Sequence, residues 1–165
     1  MLKIAIDVLG GDNGLLTILD GLSQALKSKN NFHAYLVGDE EAITQSLHTK
    51  YKERVTIINC TEVFAMESSA TNALKDTNTS IYKTIELVRD GTCDVAVSAG
   101  HSGATMSLAT LRIGRIKGIS RPALATLMPT VHSYSLVLDV GANTDCSSRH
   151  LFEFAIMGKV YAEYL

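Results

Sequence analysis

The sequence predicts an α/β fold, a doubly wound, mostly parallel sheet with helices on both faces forming a three-layer sandwich. Three observations predict it. Apolar runs of strand length alternate with stretches whose apolar residues recur at spacings of three and four. The runs "VAVSAG" and "SLVLDVGAN" are continuously apolar, as strands buried on both faces are, and such strands need helices on each side of the sheet. Strand-like runs also end in glycine just before a helical pattern, the Rossmann-like arrangement in which ligands bind at the carboxyl ends of strands. With 165 residues and 46% hydrophobic content, the chain can bury one sizeable core but hardly two, so residues 1–165 are expected to form a single α/β domain.

The elements follow in order. Residues 2–9 read as a strand, and Leu15, Leu16, Ile18, Leu19, Leu22 and Leu26 mark the helix after it. Residues 33–37 form a second strand leading through Gly38 and Asp39 into a polar helix over 40–51, and residues 55–60 form a third strand. Residues 61–78 are polar without a clear period and predict a loop with at most a short helix, long enough to reach over a site. A helix over 79–90, a strand over 94–98, a helix over 102–116 and an extended piece over 123–127 come next. A buried strand over 135–140 and a helix from residue 149 onward complete the pattern, with no repeat, low-complexity tract or linker.

Charge and cysteine usage narrow the function classes. A net charge of −2, from 15 basic and 17 acidic residues, gives no electrostatic footprint for nucleic acid. Cys60, Cys93 and Cys146 form an odd set without a CxxC pair, so buried free thiols are expected rather than disulfides or metal ligands. The start "MLKIAIDVLGGD" has neither a long apolar core nor a cleavage-type site, and no stretch approaches a membrane span, which predicts a cytoplasmic chain.

Three loops fall at strand ends: Gly10, Gly11, Asp12 and Asn13; Gly100, His101, Ser102 and Gly103; and Gly141, Ala142 and Asn143. A strand ending in Ser-Ala-Gly and turning into a helix points unpaired N–H groups and the positive end of the helix dipole at the loop, which suits an anion such as phosphate. Glycines 100 and 103 let the main chain approach closely, while Ser98 and Ser102 offer hydroxyls. The plainer reading is that the glycines make a tight turn and Ser102 is the helix N-cap. The loop is neither GxGxxG nor a P-loop.

The segments "IAIDVLGGDN", "LVGDE", "AVSAGHSGATM", "GRIKGISRPALA", "LMPT", "LVLDVGAN" and "FEFAIMGKVYAEY" together resemble, in order and spacing, the PlsX family of bacterial phosphate acyltransferases of phospholipid synthesis. The resemblance covers residues 1–165. It implies formation of acyl phosphate from fatty acyl-(acyl carrier protein) and inorganic phosphate by a homodimeric α/β enzyme. Such an enzyme associates peripherally with the inner face of the membrane and uses no metal or organic cofactor. Phosphate is already anionic and needs positioning against a thioester more than it needs a strong base. The developing oxyanion needs an amide or N–H donor, a role open to Asn143 or Asn13. Asp12 and Asp139 are candidates for orienting a cation or the carrier's pantetheine arm; the alternatives are that Asp12 caps the first helix and Asp139 ties down a turn. Lys75 in "NALKD" matches a basic position of the family pattern and is a candidate phosphate partner or a solvated lysine.

The chain departs from the family in places. The family loop SAGNTGA is SAGHSGA here, which keeps a hydroxyl at Ser102 and puts a bulkier, titratable ring at His101. The first loop lacks the family's proline, and Asp76 and Thr77 stand where basic residues are common. The family is about twice as long, so the resemblance implies the N-terminal half of an incomplete sandwich that is expected to lack turnover alone and to expose apolar surface. Two alternatives stand beside this reading. One is a non-catalytic truncated fragment; the other is an enzyme like phosphate acetyl- or butyryltransferase that uses coenzyme A thioesters.

Overall fold

Four apolar runs pair in parallel: β1 (Leu2–Asp7), β2 (Phe32–Gly38), β3 (Val55–Asn59) and β4 (Val95–Ser98), in the order β3-β2-β1-β4. The computed structural model describes residues 1–141, 143 and 145–165, in two units, Met1–Gly114 with this sheet and Arg115–Leu165. In the first unit the chain winds outward from β1 to β3 and then crosses back to lay β4 on the other side of β1. That reversal is a topological switch point, at which the loops after β1 and β4 leave the sheet side by side.

Register sets Ile4 and Ile6 beside Val95 and Val97, and Ala5 beside Ala96. Alternation therefore sends the isoleucines and valines to one face and the alanines to the other. On the first face, α1 (Gly14–Ser28) and α2 (Glu40–Ser46) close over a core containing Leu19, Leu22, Leu26, Leu36 and Ile43, against which Ile4 and Ile6 pack. On the second, α3 (Ser80–Arg89) and α4 (Ser102–Leu108) contribute Ile81, Ile85, Ala104 and Leu108, with Ala96 against them. The result is the expected three-layer α/β arrangement. Each fully buried side chain such as Leu36 contributes about 1.5–3 kcal/mol by leaving water.

Two helices are shorter than their patterns suggest. The polar helix stops at Ser46, because Leu47 turns extended to bury itself in the core; the chain then resumes as a 3-10 helix over Thr49–Arg54, with Tyr51 buried. Helix α4 widens into a π turn over Ala109–Ile113 and ends at Gly114, whose φ of 98° breaks the helical path. The 61–78 segment carries only a 3-10 helix, Ala70–Leu74, as expected of a loop with at most a short helix.

The second unit holds β5 (Ala125–Pro129), β6 (Tyr134–Leu138) and α5 (Ser148–Ala162). The expected buried strand over 135–140 is corrected: β6 pairs antiparallel with β5 in a separate two-stranded sheet and is mostly exposed. A strand with a single neighbour and α5 on one side has half its surface open, whatever its composition. Helix α5 starts with a capping box in which the Ser147 hydroxyl accepts from the His150 amide and His150 Nδ1 accepts from the Ser147 amide. All three thiols are free, Cys60 and Cys93 buried as expected; Cys146 is exposed, which corrects that expectation, because it lies in the irregular stretch before α5.

Candidate functional site

Strand β1 ends in Asp7, a buried carboxylate at the switch point. Its Oδ1 accepts the N–H groups of Leu9 (3.2 Å) and Gly10 (3.1 Å), and its Oδ2 accepts the Ser98 hydroxyl (2.8 Å) at the end of β4. Ser98 Oγ in turn accepts the Gly100 N–H (3.1 Å). One side chain thus ties together the two glycine loops that the sequence places at strand ends. Gly10 lies so close that a Cβ there would stand 2.7 Å from Asp7 Oδ2 and 2.8 Å from the Gly100 nitrogen. Sequence reasoning singled out Gly10, Gly11, Ser98 and Gly100 but missed Asp7; the available signal was a carboxylate closing an otherwise apolar strand, "IAID".

The start of α4 is organised by His101, which takes the N-cap position that the plainer reading gave to Ser102. Its Nδ1 accepts the Ala104 N–H (3.1 Å), so the ring proton sits on Nε2 and is donated to the Ser68 carbonyl (3.1 Å), a tautomer assigned from these partners. The ring also meets Phe64 edge-on, centroids 5.5 Å apart. His101 therefore caps the helix and ties the 61–78 segment to it. Gly103 completes that junction, since a Cβ there would stand 3.0 Å from His101 Cε1 and 3.2 Å from Ala70 Cβ. Ser102 is exposed, and the N–H groups of His101, Ser102 and Gly103 meet no partner among the described residues.

The remaining candidates are distributed differently. Asp12 and Asn13 are exposed on the loop before α1; Asn13 occupies the N-cap position without a side-chain bond, so Asp12 does not cap that helix. Lys75 is exposed at the end of the 3-10 helix whose Ala73 packs with Ala104 and Leu108 of α4. Gly141 and Asn143 belong to the second unit, after hairpin strand β6 and not after a strand of the parallel sheet, which corrects the third strand-end loop. Asn143 Nδ2 donates to Asp139 Oδ1 (2.7 Å) and the Pro122 carbonyl (3.3 Å), which engages both amide hydrogens within that unit. Ala142 lies outside the described residues. In the same unit the Ser120 hydroxyl, the Arg149 guanidinium and the Ser120 amide bond Glu153 and hold its carboxyl at about 2.

Chemically, the first unit offers a cluster of main-chain donors beside two close-packed glycine turns. The Gly10 and Gly100 donors are engaged internally, which leaves those of residues 101–103 for an anionic guest. No group of three or more histidine, cysteine or acidic residues able to hold a metal occurs among the described residues. No described helix is long and apolar enough to cross a membrane.

A model of the family described as "Fatty acid synthesis protein" matches residues 2–165. A protein of Aliarcobacter butzleri named phosphate acyltransferase is 56% identical over 165 residues, covering 99% of this chain and 50% of that protein. Proteins of the same name from Nitratiruptor sp. and Campylobacter fetus are 56% identical over 163 and 166 residues, covering 98% and 100% of this chain and 49% and 50% of theirs. The chain spans about half the length of these curated relatives.

Proposed function

The chain belongs to the fatty acid synthesis protein family, the PlsX family that its motifs resemble, and on that premise we propose that it is the phosphate-holding half of a phosphate acyltransferase. The reaction is attack of inorganic phosphate on a fatty acyl thioester carried by acyl carrier protein, giving acyl phosphate and the free carrier thiol for phospholipid synthesis. The observation that carries this reading is the meeting of the two glycine loops at the switch point, with the donors of His101, Ser102 and Gly103 unpartnered beside them. Phosphate seated on those donors is fixed as a nucleophile, which supplies the orientation part of the rate enhancement. Lys75, on the segment that His101 ties down, adds a cation for the phosphate, and Asn13 supplies an amide for the oxyanion; Asn143, whose amide hydrogens are both engaged within the second unit, does not. In this reading the working enzyme is a cytoplasmic homodimer that touches the inner face of the membrane, with no organic cofactor or metal.

Alignment of the thioester falls to the half of the relatives' length that this chain does not span, so the 165-residue chain alone binds phosphate without turning it over. The test incubates the chain with labelled phosphate and a long-chain acyl-(acyl carrier protein) or acyl-coenzyme A. It is repeated with a polypeptide supplying the remaining half of the Aliarcobacter butzleri protein. The expected result is acyl phosphate only in the complemented mixture and only from the carrier-protein thioester. Turnover by the chain alone at roughly 1 per second or faster, abolished by Gly103→Val, would contradict the division of labour. Turnover from coenzyme A alone would favour the short-chain acyltransferase reading.

A further inference from the structure

We propose that Asp7 is a positioning residue for phosphate, acting through Ser98 and the Gly10 and Gly100 turns to set the unpartnered donors of residues 101–103. This rests on the phosphate reading above. Asp7 is buried at the end of β1, next to β4, where the chain segments leaving the two strands come within reach of one side chain. All three of its partners are donors on these loops: the Leu9 and Gly10 amides on one side and the Ser98 hydroxyl on the other. The Ser98 oxygen passes the constraint to the Gly100 amide, the residue immediately before His101.

The arrangement has two consequences. It engages the inner amides of both turns, so an anion is directed to the outer donors at His101, Ser102 and Gly103. It also places a buried negative charge beside an anion site, which on electrostatics alone would weaken phosphate binding. Fixing the turns and repelling the anion make opposite predictions for removal of the charge. If positioning dominates, Asp7→Asn weakens phosphate binding; if repulsion dominates, it tightens it. In Asp7→Asn the amide oxygen keeps the Leu9 and Gly10 donors only by turning its NH2 toward Ser98, whose hydroxyl must then accept that bond instead of donating it, so the charge is lost and the direction of the Ser98 bond is reversed.

The experiment uses the full 165-residue chain and inorganic phosphate. Amide resonances are followed in wild type, Asp7→Asn, Ser98→Ala and Ser98→Thr, with thermal midpoints measured alongside. Expected are displaced Gly100 resonances in Asp7→Asn and Ser98→Ala and phosphate affinity about tenfold weaker in both. Ser98→Thr, which keeps the hydroxyl, should stay within about twofold of wild type. Loss of affinity that Ser98→Thr rescues at equal thermal midpoint separates positioning from general destabilisation. Unchanged or tighter phosphate binding by folded Asp7→Asn would overturn the proposal; if that variant does not fold, unchanged binding by Ser98→Ala would do so. If wild type binds no phosphate, the phosphate reading fails. Displacement of the Ser102 and Gly103 resonances by Asp7→Asn then still decides whether Asp7 sets those donors.

Discussion

Gly10 is where a single methyl group has the most to disturb. A Cβ there meets Asp7 Oδ2 at 2.7 Å, the Gly100 nitrogen at 2.8 Å and Ser98 Oγ at 3.0 Å, none of which can yield without breaking a hydrogen bond. Gly10→Ala should therefore destabilise the chain by about 1–3 kcal/mol, read as a lower urea midpoint at unchanged slope. Gly21, with open space around its Cβ position, should accept alanine without that loss. The glycines of the site were legible in the sequence because only close approach or unusual backbone explains them at strand ends. Asp7 was not, since its partner Ser98 lies 91 residues away and only the sheet order brings the two together.

The α4 junction separates two jobs of one side chain. His101→Ala removes both the cap and the tie to Ser68 and should cost about 1 kcal/mol, with faster amide exchange through residues 68–74. His101→Asn, a good N-cap residue with a shorter side chain, should restore the cap alone: stability recovers while exchange in that segment stays fast. Equal exchange in the two proteins and wild type would show that Ser68 is not held through the ring. In the second unit, the bonds of Ser120 and Arg149 to Glu153 hold its carboxyl at about 2, below its unfolded value. The stabilisation is present above the ordinary carboxylate range and is lost as pH falls from about 4.5 toward 2. Ser120 amide exchange should accelerate across that window, and Glu153→Gln should flatten the dependence. Helix α1 was legible because Leu19, Leu22 and Leu26 repeat with the helix period. Strand β6 was half legible: its apolar run announces a strand, but composition does not say whether the neighbour is a parallel sheet or one antiparallel partner.

At the scale of the molecule, the parallel order β3-β2-β1-β4 does what no motif alone does, because it makes neighbours of loops that begin at residues 8 and 99. Alternation of strand and helix made the fold class readable, whereas which loops meet depends on which side of β1 receives β4. Val95 and Val97 on the β4 edge remain largely exposed, on the face where Ile4 and Ile6 are covered by the helices of the first core. The chain also spans about half the length of its curated relatives, so holding phosphate, more than full turnover, is the property to ask of it. The most direct measurement is a phosphate titration of the isotope-labelled 165-residue chain, followed at every assigned amide. The account predicts saturable displacement centred on His101, Ser102 and Gly103, abolished by Gly103→Val; saturation centred elsewhere, or no saturation at those three amides, would contradict it.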